Sequence, residues 1–254
     1  MASQMLKIEY RTKLLLLFAV WWAFWAYKPW FFSDWLIENI LTVFFIAFFI
    51  ITRHSFRLSN LSYTLLFIFM CLHTIGSHYT YAEVPYEKLS QMLGFSINEL
   101  FGFNRNHFDR LVHFLFGFLL AYPFREMFMR VAGAKGAWSY YLPVEIIMSF
   151  SMLYEIIEWI AAEIVGGDLG MAYLGTQGDI WDAHKDMGLA SLGAVLGMLI
   201  VAMVNRHYQK EHGREFIESL KVKDKIPLGE VKLRELKELK NNQTDQSNHE
   251  TGIQ

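Results

Sequence analysis

Six apolar runs, at about residues 14–32, 35–52, 61–79, 109–125, 141–163 and 187–204, limit what this chain can fold into more than any other feature. Each approaches the ~20 residues that an α-helix needs to cross a hydrocarbon layer ~30 Å thick. In lipid every backbone N–H and C=O must be satisfied within the segment, so the runs read as helices. The expected fold is all-α, a polytopic transmembrane helical bundle of about six spans. A composition of 54% hydrophobic and 17% aromatic residues agrees with that class. The net charge of −2 gives a nucleic-acid partner no electrostatic support. Cys71, the single cysteine, lies inside an apolar run and forms no internal disulfide.

Lys28 and Pro29 interrupt the first run, while Trp21, Trp22, Trp25 and Trp30 suit an interfacial aromatic belt. The opening MASQMLKIEYRTK leads into it without a small-residue cleavage site and reads as a retained signal anchor. A short link containing Ser33 and Asp34 predicts an antiparallel hairpin of the first two spans. Lys7, Arg11 and Lys13, then Arg53 and Arg57, then Arg125, Arg130 and Lys135, then Arg206, Lys210 and Arg214 all fall on one side of a six-span chain. By the positive-inside rule that side is the cytoplasm, with both termini inside. The other side receives 80–108, too polar to span and aromatic enough for a lid made of a short interfacial helix. Residues 1–205 thus form the membrane domain. Residues 206–254 form a charged cytoplasmic tail, helical over 228–240 and disordered at its end.

The stretch Tyr154–Asp186 places Glu155 and Glu158 at the end of one run and Asp179, Asp182 and Asp186 at the start of the next. A charge at mid-bilayer costs at least ~2.5–3.5 kcal/mol, so these acids need partners. At ~1.5 Å per residue, His73 and Glu155 both lie about 18 Å from the cytoplasmic ends of their spans, His78 about 26 Å and Glu158 about 23 Å. Asp109 starts near the opposite surface, with His113 about 6 Å deeper. Asp109 and His113 share a helix face at i, i+4, as do Asp182 and Asp186, while Glu155 and Glu158 are i, i+3. Histidines and carboxylates projecting from facing helices are how bundles build metal sites. The candidate ligands of a divalent metal are therefore His73, His78, Asp109, His113, Glu155 and Glu158. Asp182 or Asp186 is the candidate to orient a histidine or act as general base. Zinc, manganese and iron all fit such donors.

Structural roles compete at several positions. Asp179 suits a helix N-cap and Asp182 a first-turn acid. His113 suits a hydrogen-bonded core histidine, His78 interfacial water, and Glu155 and Glu158 ion pairs with Arg105 or Arg110. Gly193 and Gly197 form a small-xxx-small pair that signals close helix packing.

The motifs HTIGSHYTYAEVP at 73–85, NHFDRLVHFLFGF at 106–118, YEIIEW at 154–159 and GDIWDAHKDM at 178–187 resemble those of the YjdF-like family of uncharacterised bacterial inner-membrane proteins. The likeness spans about residues 10–205 and implies a polytopic inner-membrane protein without an established activity. Asp109, His113, Glu155, Asp182 and Gly193 also follow the order of polar motifs in VanZ-like proteins, linked to glycopeptide resistance and the cell envelope. Glu158 stands where that group tends to carry Gln, Asp186 where it tends to carry Asn, and Leu189 where it tends to carry Gly.

Three functions follow as expectations. The first is a divalent-metal-dependent membrane hydrolase or transferase acting on a lipid-linked or cell-envelope substrate. The second is a proton- or cation-coupled carrier relaying through the buried glutamates and histidines. The third is a non-catalytic scaffold that recruits partners through its tail.

Overall fold

The computed structural model describes residues 9–52, 55–166, 176–208, 212–223 and 229–251. Among these the structure is helical, in the order α1 (Tyr10–Trp25), α2 (Phe32–Thr52), α3 (Asn60–Tyr79), α4 (Tyr86–Met92), α5 (Ile97–Phe101), α6 (Phe108–Val131), α7 (Trp138–Val165), α8 (Asp182–Tyr208), α9 (His212–Ser219) and α10 (Glu230–Thr251). Four of them, α2, α3, α6 and α8, are long and apolar enough to cross a membrane. The other two expected spans are less typical. α1 has 16 residues, about 24 Å of helix, and α7 carries Glu145, Glu155, Glu158 and Glu163 along its 28 residues.

The first helix ends earlier than the apolar run suggests. Ala26 caps α1 through its N–H to Trp22 and Lys28 has a left-handed φ of 50°. Pro29 follows, so the chain has left the helix before Trp30. Ser33 and Asp34 belong to the first turn of α2 rather than to the link. α1 leans chiefly on α3. It meets α2 through Trp22, whose indole N–H donates to Asn39 Oδ1 at 2.6 Å and whose ring lies 6.1 Å from that of Trp35.

At the centre is α6, which packs on α3 along one side and on α7 and α8 along the other. Small residues allow its closest approach, to α8. Gly117 of α6 lies against the backbone of Ala190 and Ala194 of α8, and Gly193 and Gly197 of α8 lie against the backbone of α6, so the two helices touch. The small-xxx-small reading of Gly193 and Gly197 therefore holds, with Phe114 O and Phe118 O against them. Leu120, Ile147, Phe69 and Met70 fill the interior. Ile40, Phe44, Ile51 and Leu199 stay on the outside, where a bilayer covers them.

One end of the bundle is tied by Glu126. Its carboxylate accepts the Ser59 N–H at 2.8 Å, the Ser62 hydroxyl at 2.6 Å and Arg130 at 2.8 Å, linking the last turns of α6 to the start of α3. At the same end Ser219 of α9 accepts the Ala137 N–H at 2.8 Å, so the tail begins docked on α7. Farther on, α10 runs to Thr251, past the expected helix end at 240 and through most of the stretch expected to be disordered. Residues 252–254 lie outside the described residues.

The segment 80–108 lies at the opposite end. Thr80 closes α3 in a left-handed conformation, with its N–H to Gly76 O, and a 3₁₀ turn at 81–83 leads into α4 and α5. Asn106 Nδ2 donates to Val84 O at 2.8 Å and the His107 N–H to Tyr86 Oη at 3.0 Å, folding the segment back onto the start of α6.

Candidate metal centre

Helical spacing puts His113 one turn beyond Asp109 on the face of α6 that turns toward α7 and α8. Its Nε2 lies 3.6 Å from Asp109 Oδ1 and 3.4 Å from Glu155 Oε1 of α7. Asp186 of α8 completes the group. One donor atom each from Asp109, His113 and Asp186 lies within 4.8 Å of the other two. Asp186 is 2% exposed and His113 7%, and the Glu155 side chain is 10% exposed. Asp186 Oδ1 and Glu155 Oε1 have no hydrogen-bond partner among the described residues. A buried carboxylate oxygen left unpartnered forfeits its hydration, a cost of about 1–3 kcal/mol or more. Native interiors rarely tolerate that without a proton, a water or a cation to take its place.

The other expected ligands are held elsewhere. Glu38 O can only accept, so the 3.2 Å bond from His73 Nε2 assigns the ring proton to that nitrogen. Nδ1 shares a hydrogen bond of 2.5 Å with Tyr81 Oη. Both His73 nitrogens are thereby used, and His73 serves α2, α3 and the 3₁₀ turn as a strut. His78 Nδ1 donates to Trp25 O at 2.7 Å, and its ring packs against Trp25 and Tyr79. Glu158 stands beside the site, with Asp109, Glu155 and Glu38 as its charged neighbours and Tyr154 as hydrogen-bond partner.

Asp182 has a different task from the one its spacing suggests. At 4% exposure it takes Arg105 at 2.9 Å and Arg110 at 2.8 Å. The two arginines therefore pair with α8 and the stretch before it, not with Glu155 or Glu158. Asp182 is left as the clasp of the site rather than a free base. Arg105 also donates to Thr176 O at 2.7 Å, and Asn106 and Gln177 exchange two backbone–amide hydrogen bonds of 3.0 and 3.1 Å. These contacts fasten the 80–108 segment beside the carboxylates.

Asp179 completes the clasp, from a position three residues before α8 rather than as its N-cap. Oδ1 accepts the Trp181 N–H at 3.1 Å, while Oδ2 meets Lys185 and Arg110, each at 2.5 Å. Lys185, the Trp181 N–H and Arg110 hold this carboxyl well below the usual carboxylate range. A depressed folded value stabilises fully above the free value of about 3.9 and is lost as the pH falls through the folded one. A spin label at Ile180, in a Cys71→Ala background, should keep one line shape from about pH 8 to about pH 5 and become mobile only in strong acid. With Asp179→Asn the label should be mobile already at neutral pH.

Further buried polar residues lie on α2, away from the acidic loop. Glu38 of α2 is 7% exposed and its two carboxylate oxygens each lie 3.1 Å from the Tyr154 hydroxyl of α7, which donates to them. Asp34, 8% exposed, lies one turn earlier and Thr42, fully buried, one turn later. The spacing 34, 38, 42 was visible as one polar face in an apolar run. Counting these, eight carboxylates (Asp34, Glu38, Asp109, Glu155, Glu158, Asp179, Asp182, Asp186) gather at this end of the bundle against Arg105, Arg110 and Lys185.

Two comparisons bear on this arrangement. Residues 10–207 match the family model described as predicted membrane protein (DUF2238). The inner membrane protein YjdF of Escherichia coli (strain K12) is 34% identical over 169 residues, covering 66% of this chain and 77% of that protein. No solved structure matches. The likeness to VanZ-like proteins gains no support from these matches. All four convergent residues, Asp109, His113, Glu155 and Asp186, fall within the matched region, and this chain belongs to the DUF2238 family of membrane proteins, of which YjdF is a relative.

Proposed function

We propose that this integral membrane protein binds one divalent cation through Asp109, His113 and Asp186, with Glu155 as a fourth ligand. The reading rests on one observation: buried oxygens of Asp186 and Glu155, without a hydrogen-bond partner among the described residues, lie in the same cluster as the His113 imidazole. One nitrogen and several carboxylate oxygens, without sulfur, suit zinc, manganese or iron(II). The excess of carboxylates over cations at this end favours positive charge. Arg105, Arg110, Asp179 and Asp182 hold the ligand helices in register, as outer-shell partners do.

In this reading α1 and α7 complete six crossings, both termini are cytoplasmic, and the protein resides in the bacterial inner membrane, like its relative. The cluster then faces the outer leaflet, where lipid-linked and cell-envelope substrates are found. A bound cation there polarises a carbonyl or phosphoryl oxygen or activates water, the chemistry of a metal-dependent hydrolase or transferase. Glu158, beside the cluster and joined to Tyr154, is placed to move a proton to or from a substrate at that face.

A carrier remains as a second reading, because Glu38, Tyr154 and Glu158 form a line of protonatable groups between α2 and α7. Labelling separates the two: a carrier exposes position 155 to the cytoplasmic side in some state, and an envelope enzyme does not.

Elemental analysis of detergent-purified protein tests the cation site. The parent should hold about one divalent ion per chain after loading and washing, and Asp186→Asn should hold well under half of that, since losing even an outer-shell partner costs about ten-fold or more in affinity. His73→Ala, outside the ligand set, should keep the ion. A parent that takes up no zinc, manganese or iron would end this reading.

A further inference from the structure

The cleft at the other end of the bundle is independent of the cation site. It encloses about 300 Å³ between α1, α2 and α3. The two outer helices diverge there. Near the cation site they are joined by Trp22 and Asn39, but lower down Tyr10 bonds Thr64 of α3 at 2.7 Å, which keeps α1 on α3 and leaves α2 apart. Leu15, Phe18, Ile46, Phe49, Leu66 and Met70 line the opening. Its walls are apolar along the membrane-facing length, and its polar groups collect at one end. Arg11 and Thr12 line that mouth together with Tyr63.

Charge at the mouth favours an anion. Arg11 donates to Glu9 at 2.6 Å, and Arg57 lies 3.8 Å from the same carboxylate. Two guanidinium groups thus share one acid, with the exposed Lys13 two residues along. An apolar sleeve about two helix turns long, opening between membrane-crossing helices, is filled by hydrocarbon rather than by water. A sleeve with a cationic rim matches an amphiphile with a negative head.

We infer that this cleft is a binding site for an anionic phospholipid. One acyl chain lies between α1 and α2 over Leu66 and Met70, and the phosphate sits at Arg11 and Arg57. A zwitterionic lipid offers the same chain, yet its ammonium group meets the same arginines and weakens the head contact. Inorganic phosphate has no chain to fill the sleeve and does not compete. The site stands whether or not the carboxylate cluster holds a metal.

Native mass spectrometry of the full chain, mixed with equal amounts of phosphatidylglycerol and phosphatidylcholine, tests the inference. The parent should retain one phosphatidylglycerol in preference to phosphatidylcholine, and excess inorganic phosphate should leave it in place. Ile46→Trp fills the sleeve and should lower retention about ten-fold, through lost packing along the chain. Leu15→Trp narrows it from the α1 side and gives the same reading if Ile46→Trp does not fold. Arg11→Gln should retain lipid while losing the preference between the two headgroups. Equal retention of both lipids by the parent, or unchanged retention in whichever tryptophan variant folds, would overturn the inference and leave only loosely associated annular lipid.

Discussion

Gly117→Ala should destabilise the bundle by about 3 kcal/mol or more, at the upper end of what overpacking costs. A Cβ at this position of α6 would stand 1.8 Å from Ala190 O and 2.8 Å from Ala194 N of α8. Both obstacles are backbone, so no side chain can rotate away. The helices must move apart, and because His113 is one turn before Gly117 on α6 and Asp186 one turn before Ala190 on α8, the proposed cation ligands separate with them. Denaturation in mixed micelles measures the loss. Gly188→Ala is the control: nothing lies within 4 Å of a Cβ there, and alanine is favoured over glycine in a helix by up to about 1 kcal/mol. Similar large losses for both variants would show that the effect is not one of helix contact.

Asp182→Ala is expected to cost about 3–5 kcal/mol, the usual penalty for removing one partner of a buried ion pair. The carboxylate is 4% exposed and the Arg105 and Arg110 side chains 13% and 15%, so solvent can do little to replace it. Its loss leaves two guanidinium groups crowded at the heads of α6 and α8 against Asp179, which already pairs with Lys185. The same assay, combined with cation content, separates this residue from its neighbour one turn along. Asp182→Ala should lower stability while the folded fraction still binds a cation. Asp186→Asn should do the reverse, because it relieves an unpartnered charge and removes a ligand. If both variants behave alike, the division between clasp and ligand is wrong.

Much of this fold was legible in the apolar runs, since lipid leaves the backbone so few options. The helices α2, α3, α6, α7 and α8 fall where those runs lie. The first run misled because hydrophobicity continues through Trp30 while the helix stops at Trp25; Pro29 and the left-handed Lys28 decide the end, not the apolar content. The site was partly legible for a similar reason. Spacing along one helix brought Asp109 and His113 together, and depth brought Glu155 near them. Depth alone could not give azimuth. His73 lies at the expected level yet turns toward Glu38 O and Tyr81, so its ring is spent on struts. Glu38 carries a weaker signal, a lone acid in an apolar run, although Asp34, Glu38 and Thr42 repeat every fourth residue. The pairing of Arg105 and Arg110 with Asp179 and Asp182 had no sequence signal, because it joins segments about 70 positions apart.

In the proposed site an imidazole from α6 and carboxylates from α6, α7 and α8 surround one cation. X-ray absorption at the zinc edge of the zinc-loaded protein reads that shell directly. A single imidazole among oxygen donors is expected, at about 2.0–2.2 Å, with the imidazole signal gone in His113→Ala and retained in His73→Ala. A shell without imidazole, or one that His113→Ala leaves unchanged, would contradict the proposed site.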